Sequence, residues 1–98
     1  MTARAPLRLG RVGDSPVALK PGDAFRVDMD HEMVGDEQRA PLPYPQLYRA
    51  LTRGAELLIG GGGGGVRLRV ETCGPEHAQT RVVVGGLVAD NQEVRLLP

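Results

Sequence analysis

Ninety-eight residues leave room for one domain and one core. With 41% hydrophobic residues but one Phe, two Tyr and no Trp, that core has to be aliphatic, built from Val, Leu, Ile and Ala. Twelve basic residues balance twelve acidic ones and no Lys/Arg run stands out, so the electrostatic footprint of a nucleic-acid or anionic-membrane binder is missing.

In chain order, apolar residues alternate with period two far more often than they recur at helical spacing, which predicts strands. "LRLGRV" (7–12) alternates, "PVAL" (16–19) is short and apolar, and "FRVDM" (25–29) sets Phe25, Val27 and Met29 on one face with Arg26 and Asp28 on the other. "QRAPL" (38–42) reads as an edge strand, because its proline cannot donate to a ladder. "YPQLYRAL" (44–51) is the exception: Pro45 suits a first helical position, and Leu47, Tyr48 and Leu51 form an apolar stripe, so one short helix is expected near residues 45–51. "ELLI", "VRLRV", "TRVVV" and "VRLL" complete the strands, and the segments 55–59 and 66–71 are expected to pair antiparallel. Turn signals such as "VGDSP", "KPGD", "VGDE", "TRGA" and "CGPEH" separate them. About seven short strands at this spacing predict an all-β fold, a small closed barrel with one short helix, filling residues 1–98 as a single domain. "LKPGDAFRV" (19–27) and "LTRGAELLI" (51–59) share a leucine, a glycine three residues later and then a strand, a recurring turn device in which glycine permits the tight step.

The run Gly60 to Gly65 matches a dinucleotide glycine pattern trivially, as any polyglycine does. A dinucleotide site needs a helix after the loop, whose free N–H groups hold the pyrophosphate, and "VRLRV" is β-rich instead. No Lys-Ser or Lys-Thr follows, which removes the Walker reading. The run is read as a slack hairpin tip, with amides at Gly61 to Gly64 exchanging fast. His31 and His77 have no Cys or His partner at ligand spacing, so loop surface is expected and no metal site is assigned. "DMDHE" (28–32) groups Asp28, Asp30 and Glu32 without the spacing of a calcium loop and reads as a solvated acidic turn. Cys73 reads as a half-buried inert thiol, and Ser15, the chain's one serine, belongs to a turn, so no nucleophile triad can be assembled. A lone cysteine fits a reducing compartment; apolar runs are too short to span a bilayer, and "MTARAPLRLGR" lacks a signal-peptide core. The expectation is a cytoplasmic, soluble protein without membrane or nucleic-acid partners.

Four stretches in order, "LRLGRVGDSPVALKPGDAFRVD", "PLPYPQLYRALTRGAELLI", "VRLRVETCGPEHAQTRVVVGGLV" and "VRLLP", resemble the mobile B domain of pyruvate kinase, the β-barrel lid inserted in its catalytic TIM barrel. The more specific parts are Leu7, Arg8 and Gly10 ahead of "LKPGD", the Pro-x-Pro-x-Leu stretch before the helix, and "TRVVVGGLV" near the end. The resemblance implies a lid that closes over ADP or ATP while phosphoryl passes from phosphoenolpyruvate to ADP, with the TIM barrel as partner. It also implies that phosphoenolpyruvate, Mg²⁺ and K⁺ are bound by that barrel, so no cofactor and no catalytic residue is assigned to this chain. Arg8 stands where the family's lid arginine meets nucleotide phosphates, a task that suits a guanidinium fork, although an ordinary solvent-facing strand arginine is the alternative.

Three departures accompany the resemblance. Ala5 and Pro6 do not reproduce the family's Gly-Pro-Lys step, and Gly60 to Gly65 replace an acidic hairpin tip. Aligning Val94 with the valine of the family's Lys-Gly-Val-Asn-Leu-Pro exit puts Gln92 at the lysine and Glu93 at the glycine. A neutral amide cannot supply the charge that stabilises a transferring phosphoryl group. Two function classes follow: a pyruvate kinase lid that is inactive alone and binds ADP or ATP weakly or not at all, or a degenerate or redesigned stand-alone β-barrel acting as a structural or protein-binding module.

Overall fold

The computed structural model describes residues 7–13, 16–60 and 65–97. Within them lie β1 (Leu7–Arg8), β2 (Val17–Leu19), β3 (Ala24–Asp28), β4 (Arg39–Pro41), α1 (Pro45–Ala50), β5 (Glu56–Ile59), β6 (Val66–Cys73), β7 (His77–Val84), β8 (Gly86–Val88) and β9 (Glu93–Leu96). Period-two burial builds the core. Phe25 and Val27 of β3, Leu57 and Ile59 of β5, Val66, Leu68 and Val70 of β6, and Ala78 and Val82 of β7 all point inward. Their neighbours Arg26, Arg67, Arg69 and Arg81 face solvent. The helix begins at Pro45, whose fixed φ suits the first turn and whose missing N–H costs nothing there. It buries Leu47 and Tyr48. The Tyr48 hydroxyl donates to the Leu42 carbonyl at 2.8 Å, which satisfies its polar tip inside the core, and burial pushes the phenol pKa well above its ordinary value.

Seven strands form one sheet in the order β1-β9-β5-β6-β7-β3-β4, and β2 pairs separately with β8. The β5–β6 hairpin is antiparallel as expected, with Glu56 opposite Arg69 and Ile59 opposite Val66. The closed barrel is not: the sheet curls into a half-barrel, and no ladder joins its edges β1 and β4. Both edge strands are short, and β4 runs parallel to β3 with Pro41 in it, so it has few donors to offer a partner. Isolated contacts bridge the gap instead. Gly10 N–H donates to the Pro41 carbonyl at 2.8 Å, and Val12 makes a single bridge to Gly35. β1 accordingly ends at Arg8 although the alternation runs on to Val12. β8 has no counterpart among the expected strands; it is recruited by β2, with Leu19 opposite Gly86 and Val17 opposite Val88.

The recurring turn device is real in three dimensions. Asp23 N–H donates to the Lys20 carbonyl and Ala55 N–H to the Thr52 carbonyl, each at 3.0 Å. Gly22 (φ 93°) and Gly54 (φ 90°) take the left-handed third position of each turn. Each glycine then donates to a strand carbonyl, Gly22 to Val82 and Gly54 to Val70. Those two residues donate back to Asp23 and Ala55. The same step thus docks β3 on β7 and β5 on β6.

Candidate functional site

Arg8 reaches its place because β1 pairs with β9, Leu7 opposite Val94 and Arg8 opposite Glu93. The pairing continues one residue further through Leu9 N–H to the Gln92 carbonyl at 3.0 Å. On the other side of β9 lies β5, with Ile59 opposite Val94 and Gly60 N–H donating to the Glu93 carbonyl at 2.8 Å. Arg8, Gln92 and Gly60, three positions singled out in the sequence, therefore meet at one end of the sheet. The linker before β9 completes this corner. Gln92 Oε1 accepts the Ala89 N–H at 2.8 Å, Asp90 accepts the Val12 N–H, and Asn91 adopts φ 61°.

The chemistry of this corner is that of oriented donors. Arg8 donates from Nη1 to the Asn91 carbonyl at 2.9 Å, and its backbone N–H donates to the Tyr44 hydroxyl at 3.1 Å. Gln92 uses its amide oxygen locally, and its Nε2 faces Gly60, lying 3.4 Å from where a Cβ there would be. Nothing at position 92 carries the positive charge of a lysine. Gly61 to Gly64, with their expected fast exchange, lie outside the described residues, as do Ser15, Ala5 and Pro6. The described ends of the run carry steric requirements of their own. Gly60 sits at φ 81°, and a Cβ on Gly65 would come within 2.8 Å of Leu58 Cδ1 and 2.9 Å of the Ile59 carbonyl oxygen. Polyglycine alone gave no hint that its two ends are sterically required.

A second polar cluster corrects the reading of "DMDHE". Asp28 is not a solvated carboxylate; it is 7% exposed. Arg39 grips it with Nε on Oδ2 at 3.0 Å and Nη2 on Oδ1, and Arg26 Nε adds a bond to Oδ2 at 3.0 Å. Burial pushes the Asp28 carboxyl up, but the bonds from Arg39, Arg26 and the Asp30 N–H outweigh it and hold the group below its ordinary value. Asp30 and Glu32 remain exposed, as expected. His31 lies on an exposed turn, whereas His77 opens β7 opposite Asp28 and is half-buried, not on a loop. Cys73 is exposed, not half-buried, because it closes β6 on the outer side, where its thiol donates to the Leu51 carbonyl at 3.5 Å. Among the described residues no group of three His, Cys, Asp or Glu side chains converges on a common point.

No protein-family profile matches the chain. A pyruvate kinase of Methylorubrum extorquens is 40% identical over 91 residues, which is 92% of this chain and 18% of that protein. A pyruvate kinase of Eimeria tenella is 26% identical over 84 residues, 86% of this chain and 15% of that protein. Among solved structures, a pyruvate kinase of Cryptosporidium parvum superposes with a TM-score of 0.85 at 22% identity, over 94% of this chain and 18% of that chain. Cryptosporidium parvum pyruvate kinase in complex with ADP gives 0.85 at 21% identity, over 95% of this chain and 18% of that chain. The chain spans less than a fifth of the length of the relatives it matches. Among the described residues no helix is long and apolar enough to cross a membrane.

Proposed function

We propose, from the premise that this chain is similar to a small part of pyruvate kinase, that it is the B domain of such an enzyme: a lid that closes over ADP or ATP while phosphoryl passes from phosphoenolpyruvate to ADP in a TIM barrel. The observation that carries the reading is 40% identity sustained over 92% of the chain against 18% of one relative. The pairing of β1 with β9 supports it, since the first and last strands lie side by side, as in a segment inserted between neighbouring positions of a host. A closing lid excludes water and strengthens the electrostatics beneath it. In this reading Arg8 is the residue that meets the nucleotide phosphates, and Mg²⁺ and K⁺ belong to the barrel. Gln92 and the glycines at 60–65 favour a second reading, a stand-alone module that has lost the lid's charged contacts. Sequencing the gene on both sides separates the two: catalytic-barrel halves flank a lid and are absent around a module.

The isolated chain is expected to show no phosphoryl transfer and only weak nucleotide affinity. Transfer needs several convergent positive groups in a dry cleft, and this corner supplies Arg8. Each missing charge-assisted contact to phosphate costs on the order of 1.5–3 kcal/mol, so affinity at millimolar or weaker is the estimate. Titration of ¹⁵N-labelled protein with Mg-ADP should move Arg8 and its neighbours without saturating below millimolar nucleotide. Saturation at micromolar nucleotide, centred on Arg8 and residues 60–65, would contradict this and restore a phosphate-binding glycine loop.

A further inference from the structure

Arg8 differs from the other anchored arginines in what anchors it. Arg26, Arg39, Arg67, Arg69 and Arg81 each lie within ion-pair distance of a carboxylate that offsets their charge. The Arg8 guanidinium is held instead by the backbone carbonyl of Asn91, and among the described residues no carboxylate lies within ion-pair distance of it, Glu93 across the ladder included. A carbonyl dipole orients a cation without cancelling its charge. Asn91 offers that carbonyl from φ 61°, a conformation that asparagine and glycine adopt with least strain. The strand beneath is fixed on both edges: Leu9 N–H donates to the Gln92 carbonyl on the β9 side, and Arg8 N–H donates to the Tyr44 hydroxyl on the other.

We infer that Asn91 and Tyr44 are positioning residues for Arg8, holding its guanidinium in place with no carboxylate partner among the described residues, so that it can receive an anionic phosphate oxygen. The inference rests on the reading of Arg8 as a phosphate contact, and its test separates the two. Backbone direction at position 91 is varied by Asn91→Val, which resists the left-handed conformation, and by Asn91→Gly, which keeps it. Tyr44→Phe removes the acceptor and keeps the ring. In each variant two quantities are measured: the order of the Arg8 Nε–H vector by ¹⁵N relaxation, and the Arg8 shift on adding Mg-ADP. Asn91→Val should loosen the Arg8 side chain toward the mobility of the exposed Arg53 and weaken the Mg-ADP response on the order of three- to tenfold. Asn91→Gly should stay close to the parent in both. Tyr44→Phe should speed exchange of the Arg8 amide and loosen its side chain, which keeps the claim testable if Asn91→Val does not fold. An Arg8 side chain as ordered in Asn91→Val and Tyr44→Phe as in the parent overturns the positioning role. Looser variants with no Arg8 response to Mg-ADP even in the parent leave positioning standing and overturn the phosphate reading.

Discussion

Replacing Arg39 with alanine is expected to remove about 3 kcal/mol of stability, the lower end of the cost of breaking a buried ion pair from one side. The Asp28 and Arg39 side chains are 9% and 13% exposed, so little water competes with the pair while both partners are in place. Arg39 also donates to the carbonyls of Asp30 and Met33, at 2.9 and 2.8 Å, and so ties the loop after β3 to β4. The lower end applies because Arg26 and the Asp30 N–H remain on the carboxylate. A domain of this size is stable by about 5–15 kcal/mol in total, and each kcal/mol moves its melting temperature by roughly 4–8 °C. Lysine should not rescue, because it lacks the fork that grips both oxygens. The pH dependence follows from the depressed Asp28 carboxyl. Its stabilisation is fully present above the unfolded value of about 3.9 and is lost as pH falls from there through the lower folded value. Urea titrations at neutral pH and across that acid range should show a steeper acid loss in the parent than in Arg39→Ala. Equal slopes with an unchanged midpoint would show that the pair is dispensable.

Phe25→Ala is expected to cost about 3–5 kcal/mol, the usual penalty for emptying a buried aromatic site. Phe25 is the one phenylalanine of the chain and is fully buried in β3, between β7 and β4. The surrounding core is aliphatic and held in sheet, so it can collapse little into the space. Phe25→Leu should lose much less, since it refills most of the volume. Chemical denaturation of both variants checks this, and a loss below about 1 kcal/mol for alanine would mean that β3 does not pack as described.

Much of the fold was legible because the signals are local. Alternation placed β3, β5, β6 and β7, Pro45 placed the helix, and the glycines of "KPGD" and "TRGA" placed two equivalent turns. What sequence could not carry was decided by partners distant in the chain. Whether a curled sheet closes depends on how β1 and β4 approach, and there the chain offers single hydrogen bonds in place of a ladder. β8 is too short to announce itself and exists because β2 is there to pair with it. Asp28 looked solvated because its guanidinium partner lies eleven residues away, across a parallel pairing that the pattern of "QRAPL" does not reveal. At the candidate site, Arg8 and Gln92 were singled out by resemblance, but the contacts of Arg8 with Asn91 and Tyr44 were not, since a backbone carbonyl and a hydroxyl meeting one arginine leave no mark in spacing.

The lid reading is tested most directly by grafting residues 7–97 in place of the matching segment of the Methylorubrum extorquens pyruvate kinase and assaying phosphoryl transfer from phosphoenolpyruvate to ADP, beside the same enzyme with that segment deleted. The account predicts a folded chimaera that is more active than the deleted form and less active than the parent, with activity falling on Arg8→Gln and rising on Gln92→Lys. A folded chimaera no more active than the deleted form, and indifferent to both substitutions, would contradict it.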